Sequence, residues 1–225
     1  MTSRAGAGRD ALAAAVAHVA AAGLVAFPTE TLWGLGADAR SDPAVARLRA
    51  WKGRSADQPL SVLVSGVAAL SPLGVELGPL ARALAGNFWP GPLTLVLPCT
   101  GRFAEGIAGP QGAIGLRCSP HPVAMALARA LEAAGVGPIT ATSLNAHGEA
   151  PARTRREAEH ACRRGGAEAP LLFAGDGLDA GGGSPSTVVD LASAAPRVLR
   201  WGAISHDMLE PLLQGGGAAA TGGRR

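Results

Sequence analysis

Tyrosine is absent from this 225-residue chain, and lysine occurs once. The aromatic set is small, four Trp and four Phe, mostly in apolar context, so the chain offers no platform of rings on which RNA bases would stack. Three cysteines (Cys99, Cys118, Cys162) stand far apart, which argues against a disulfide framework and a paired-cysteine zinc site. Cys118-Ser119-Pro120-His121 would make half a metal site, and no second half follows. No stretch approaches ~18 apolar residues free of breakers, so a membrane-spanning helix is not expected. The run from Ala11 to Phe27 has the apolar character of an export signal, but Asp10 and His18 interrupt it, and the cytoplasm is the expected compartment.

The scarcity of lysine is informative. Of 20 basic residues only Lys52 is not arginine. Guanidinium is a planar fork and ammonium a compact point charge, so one lysine among so many arginines suggests a place the fork does not fit. The net charge of +3 favours anionic partners without requiring nucleic acid. Five arginines (Arg153, Arg155, Arg156, Arg163, Arg164) crowd one short stretch. The 32 glycines and 17 prolines mostly punctuate apolar runs, as in a folded, loop-rich protein of one large domain or two small ones.

Apolar periodicity and breakers predict alternating helices and strands. Asp10 is the expected N-cap of a helix over 11–22 that Gly23 ends. Strands are predicted at Leu24–Phe27, Leu60–Val64, Leu93–Leu97, Ala113–Arg117, Ile139–Thr142, Leu171–Phe173, Thr187–Leu191 and Val198–Arg200. Helices are predicted from Asp42-Pro43 to Trp51, over Leu77–Asn87 and Pro122–Ala134, after the capping box Thr154-Arg155-Arg156-Glu157, and from Ser205 to Leu213. Gly34-Leu35-Gly36 reads as loop. The alternation indicates an α/β layered fold, and the loop joining the strands at Leu93 and Ala113 points to a mixed sheet. The folded domain is expected to span 1–213, with 214–225 a disordered Gly/Ala-rich tail.

Four polar loop segments follow apolar strands or helices: Pro28-Thr29-Glu30-Thr31, Lys52-Gly53-Arg54, Thr142-Ser143-Leu144-Asn145 and Ser184-Pro185-Ser186-Thr187. Arg117 and Arg200 each end a strand. In α/β folds ligand sites form at such strand ends. A lysine, several arginines and small hydroxyls with few carboxylates describe a site for phosphate and carboxylate, held by charge-assisted hydrogen bonds. Gly34-Leu35-Gly36 lacks the third glycine of a dinucleotide fingerprint, and no Gly-Lys-Ser/Thr phosphate loop exists. A serine nucleophile elbow is also missing.

In order and spacing, Pro28-Thr29-Glu30-Thr31-Leu32-Trp33-Gly34-Leu35-Gly36, Lys52-Gly53-Arg54 with Pro59-Leu60, Phe88-Trp89-Pro90-Gly91-Pro92-Leu93-Thr94, Ser143-Leu144-Asn145 and Pro185-Ser186-Thr187-Val188-Val189-Asp190 resemble the YrdC-type threonylcarbamoyl-AMP synthases. The resemblance runs from about Gly23 to about Gly202 and is to the short, single-domain form. It implies a single-domain α/β fold with a twisted mixed sheet, helices on both faces and a basic central cavity, and condensation of L-threonine, bicarbonate and ATP, with Mg2+, into threonylcarbamoyl-adenylate and pyrophosphate. The adenylate then serves a tRNA threonylcarbamoyl transferase complex that modifies the adenosine beside the anticodon. Carried over by position, Thr31, Arg117 and Ser186 would hold threonine. Lys52, Arg54, Gln58, Ser143, Asn145 and Arg200 would face ATP or the adenylate, with Lys52 and Arg54 the catalytic pair. The resemblance implies no dedicated protein metal site.

The sequence departs from the family pattern at Trp33 (usually tyrosine), at Leu63 (a histidine in other members), at Asn145-Ala146-His147-Gly148 (usually Asn-x-Ser-Gly) and at Trp201 (commonly proline). Two alternative functions share the same basic cavity. One is a non-catalytic RNA-binding module that grips phosphates through the cavity and Arg153–Arg164; weak tRNA binding is a separate expected partner contact of the enzyme. The other is carbamoyl transfer, as in hydrogenase-maturation proteins that carry similar domains.

Overall fold

The computed structural model describes residues 4–53, 59–109, 111–164, 168–174, 179–181 and 183–218. Arg54 and Gln58 therefore lie outside the described residues. The elements run α1 (Arg4–Ala20), β1 (Val25–Pro28), β2 (Trp33–Gly36), α2 (Asp42–Lys52), β3 (Val62–Leu63), α3 (Pro79–Phe88), β4 (Leu93–Pro98), β5 (Ala113–Arg117), α4 (Pro122–Ala133), β6 (Ile139–Thr140), β7 (Thr142–Ser143), α5 (Arg155–Arg163), β8 (Leu171–Leu172), β9 (Thr187–Asp190), β10 (Arg197–Arg200) and α6 (His206–Ala218). Short 3-10 turns separate β3 from α3.

The strands divide between two mixed sheets, ordered β7-β2-β1-β8 and β10-β9-β4-β5-β3-β6. In the larger sheet β4 pairs antiparallel with β5 and parallel with β9. Helices α1 and α4 pack on each other and on β1, while α3 packs on α6 and β4. Two apolar cores result. One, around Phe27, Leu63, Leu127 and Ile139, lies beneath α1 and α4. The larger one gathers Trp33, Leu35, Leu48, Leu95 and Leu116. Among the described residues no helix is long and apolar enough to cross a membrane.

Several local expectations are corrected. Helix α1 begins at Arg4, so Asp10 lies inside it rather than capping it. Ala22 takes the left-handed turn at its end (φ 60°). Gly23 is needed for another reason: a Cβ there would sit 2.3 Å from the His18 ring. The cap of α2 is Ser41, one residue before Asp42, and its side chain accepts the Ala44 N–H; Gly53 closes the helix at φ 62°. Gly34-Leu35-Gly36 is strand, not loop. Its glycines make room for Phe27 and Ile139, since a Cβ on Gly36 would approach Ile139 Cδ1 to 2.5 Å. The predicted strand Ile139–Thr142 splits at Ala141, with β6 joining the larger sheet and β7 the smaller. The Thr154–Glu157 capping box is present as predicted. Helix α6 runs past Leu213 to Ala218, with a hydrogen bond from Gln214 Nε2 to Glu210 Oε1 (2.9 Å) along it; the rest of the expected tail, 219–225, lies outside the described residues.

Candidate active site

Strand alternation builds the wall of a cavity of about 820 Å³, within the size range of small-molecule sites. Leu93 and Leu95 of β4, Ile114 and Leu116 of β5, and Val189 of β9 point into the core. Their alternates Thr94, Val96, Ala113, Gly115, Arg117, Val188 and Asp190 line the cavity. Gly115 keeps the floor open, because a Cβ there would stand 3.1 Å from Ser61 Oγ and 3.4 Å from Thr94 Cγ2. On β10 the register shifts between Val198 and Arg200, so Arg197 pairs with Asp190 and Arg200 with Val188. That bulge brings two arginines three residues apart to the same cavity.

Thr31, Arg117, Ser186 and Arg200, four of the predicted site residues, meet in this cavity. Arg117 is buried at the end of β5. Its Nη2 donates to Glu30 Oε1 (2.9 Å), to Thr31 Oγ1, and at 3.4 Å to Thr29 Oγ1. Ser119 Oγ donates to the other Glu30 oxygen. Arg117 Nε is buried and has no hydrogen-bond partner. Across the floor, Ser186 Oγ lies 2.9 Å from Thr94 Oγ1. Arg200 donates through Nε and Nη2 to Ser186 O (3.1 and 2.9 Å) and through Nη2 to Ser186 Oγ (3.0 Å).

Ser143 also lines the cavity, but Lys52 and Asn145 do not. Lys52 is only 4% exposed. Its Nζ donates to Ser143 O (2.5 Å), Asn145 O (2.9 Å) and Asn145 Oδ1 (3.3 Å). Ser143 Oγ donates to the same Asn145 Oδ1 at 2.5 Å. The three residues are brought together, with the ammonium behind the wall and the Ser143 side at its surface.

A family model described as Sua5_yciO_yrdC, telomere recombination, matches residues 18–202. The chain belongs to this family. The threonylcarbamoyl-AMP synthase of Chromohalobacter salexigens is 38% identical over 184 residues, covering 82% of this chain and 94% of that protein. The threonylcarbamoyl-AMP synthase of Xanthomonas campestris is 41% identical over 150 residues, covering 64% of this chain and 76% of that one. The crystal structure of Pyrococcus abyssi Sua5 complexed with L-threonine matches with a TM-score of 0.78 at 33% identity, covering 89% of this chain and 56% of that one.

Against the pattern of the Sua5/YciO/YrdC family, the departures have visible consequences. The Trp33 indole N–H, where tyrosine is usual, donates to Asp179 Oδ1 (2.9 Å). It thereby helps hold the segment whose Gly181 and Gly183 N–H groups cap Thr29 O and Thr31 O, each at 2.9 Å. Burial alone would raise the Asp179 pKa, but hydrogen bonds from Trp33 and from the Arg155 and Ala180 amides outweigh it and carry it below the usual aspartate value. Leu63 turns away from the cavity into the Phe27 cluster. His147 donates its backbone N–H to Lys52 O at 2.7 Å. Trp201 stands half-exposed beside the His206 ring.

Sequence reasoning passed over Thr94, Arg153, Asp190 and Arg197 as lining residues and did not single out Glu30. Strand alternation from Ser186 was the available signal for Asp190; Thr94 shares Arg117's face because the two pair across β4 and β5. Among the described residues no group of three His, Cys, Asp or Glu side chains is placed to hold a metal ion. The cationic and hydroxyl lining suits anions.

Proposed function

We propose that this protein forms L-threonylcarbamoyl-AMP and pyrophosphate from L-threonine, bicarbonate and Mg-ATP, supplying the threonylcarbamoyl group for tRNA modification beside the anticodon. The enzyme class is nucleotidyltransferase. One observation carries the reading. In a chain of this family, Arg117 presents a buried, unpartnered Nε–H beside the cavity hydroxyls, and a buried donor of that kind calls for an anionic acceptor. The threonine carboxylate supplies it. Ser186 and Thr31 are the hydroxyls within reach of the amino acid, and Arg200 backs Ser186 from the nucleotide side.

The chemistry is a condensation with balanced atoms. The threonine amine adds to the carbon of carbon dioxide, or of bicarbonate with loss of water. An N–C bond forms and the amine gives up a proton. An oxygen of the resulting N-carboxylate attacks the α-phosphorus of ATP, and the bond to the β-phosphate oxygen breaks, releasing pyrophosphate. Two anionic reactants must meet, and each like-charge contact at ~4 Å costs about 4 kcal/mol in a surface-like dielectric. Arg117, Arg200 and Arg54 offset that repulsion; Arg54 and Gln58 complete the nucleotide side in this reading, beyond the described residues. Magnesium bound with ATP neutralises phosphate charge. Positioning supplies most of the acceleration.

The test is direct. The purified protein is incubated with Mg-ATP, bicarbonate and each of several amino acids, and the products are weighed by mass spectrometry. Threonine-dependent pyrophosphate release with the mass of threonylcarbamoyl-adenylate is expected. Pyrophosphate release without threonine, or none at all, overturns the reading.

A further inference from the structure

The single lysine has a geometric explanation that differs from a nucleotide contact. Helix α2 ends at Lys52 because Gly53 takes a left-handed conformation, its N–H bonding back to Ala50 O and Arg49 O. This points the last side chain under the cavity wall. There the ammonium meets three oxygens from one turn, Ser143 O, Asn145 O and Asn145 Oδ1, at 2.5, 2.9 and 3.3 Å. The turn is tied back on itself, with Asn145 Nδ2 donating to Ala146 O (3.0 Å) and Glu149 O (2.9 Å). It is tied to the helix too, through His147 N–H to Lys52 O. Oxygens converging on one point suit the tetrahedral donors of an ammonium. A guanidinium spreads its donors over a plane and does not fit such a nest.

We infer that Lys52 is a positioning residue: its buried ammonium, with Asn145, holds the Ser143–His147 turn in shape and so sets Ser143 at the cavity surface, without touching the nucleotide itself. The inference rests on the proposed nucleotide site only for its consequence on activity; the turn's dependence on Lys52 is a property of the free protein. Removing the ammonium takes a charged donor away from Ser143 O, Asn145 O and Asn145 Oδ1, of which only Oδ1 keeps the Ser143 Oγ bond, a loss worth a charged hydrogen bond or more. The turn then opens locally while the sheets stay formed.

Amide hydrogen exchange on the substrate-free full chain tests this. In Lys52→Met, which keeps length and removes charge, the amides of Asn145, His147 and Glu149, bonded to Ser143 O, Lys52 O and Ala146 O, are expected to exchange about ten-fold faster or more, with β4 and β5 amides at the wild-type rate. Lys52→Arg should show the same local pattern, because charge is kept and shape is not; if the methionine variant does not fold, the arginine variant carries the test. Unchanged exchange at these three amides in a folded variant overturns the inference. A kinetic cycle is the second readout. Ser143→Ala and Lys52→Arg are each expected to lower kcat/KM for ATP, and the double variant should lose less than the product of the two factors. Factors that multiply cleanly identify Lys52 as an independent nucleotide contact. If the wild-type protein forms no adenylate, the functional reading fails, and the exchange experiment still decides the role of Lys52.

Discussion

Glu30 Oε1 lies 2.9 Å from Arg117 Nη2, and the pair is largely withdrawn from water, with side-chain exposures of 17% and 11%. Glu30 is itself absent from the cavity lining, whereas its neighbours Thr29 and Thr31 belong to it. The carboxylate therefore anchors Nη2 of the guanidinium, while the buried Nε has no hydrogen-bond partner. Two opposite charges in a partly buried setting favour a fixed geometry over a mobile arginine.

Replacing that carboxylate tests the arrangement. Glu30→Gln keeps the shape and removes the charge, so Arg117 loses its anchor. The expected outcome is a KM for threonine raised about ten-fold, with a smaller change in the KM for ATP. Steady-state pyrophosphate release, with each substrate varied in turn, gives both values. Equal changes in both constants would show that Glu30 supports the fold generally rather than Arg117.

The floor of the cavity depends on Gly115 having no side chain. Gly115→Val projects two methyl groups toward Ser61 and Thr94, in a strand where valine is favoured. ATP-dependent turnover should fall by about ten-fold or more, since a well-packed site has no room for added volume. The melting temperature should move by only a few degrees, as read by calorimetry.

Gly36 is a packing glycine. In Gly36→Ala the new methyl would meet Ile139 Cδ1 and Cγ1 and the Phe27 ring. Overpacking of this kind costs about 1–3 kcal/mol, measurable as a lower urea midpoint. A paired Ile139→Val change should recover part of it by freeing space.

Acid sensitivity has an identifiable source in Asp190. Burial would raise its pKa, but hydrogen bonds from Ser193, Arg197 and the Ala192 and Ser193 amides outweigh burial and hold it below 3.8. A carboxylate with a depressed folded-state pKa stabilises the fold above its unfolded value, and the contribution fades as pH falls through the folded value. Asp190→Asn should therefore lower stability at neutral pH. The gap between wild type and variant should narrow as pH drops below 3.8. Urea unfolding across an acid series measures this, and a gap independent of pH would rule out the charge as its cause.

Much of the fold was legible because its signals are local. Ala113–Arg117 is bounded as the apolar run predicts, and α4 stops within one residue of its expected end. The capping box at Thr154 declares itself in four letters. The errors fall where a residue serves a distant neighbour. Gly34 and Gly36 look like turn formers in sequence, yet they are glycines because Phe27 and Ile139 pass close. Ala141 carries no signal that the chain there leaves one sheet for the other. The site divides the same way: Arg117 and Arg200 were readable as strand-end groups and Ser186 as part of a polar loop, while Thr94 was hidden within an apolar strand.

Residue types and spacing by themselves determined the alternation of elements, the family motifs and the cationic make-up of the strand-end segments, because propensity, capping and charge act over a few residues. Which side chains face the cavity was decided only in three dimensions. Lys52 and Ser143 are 91 positions apart, and nothing local says that one is the wall and the other its support. A chain reports what charges it has; only packing determines which of them line the cavity.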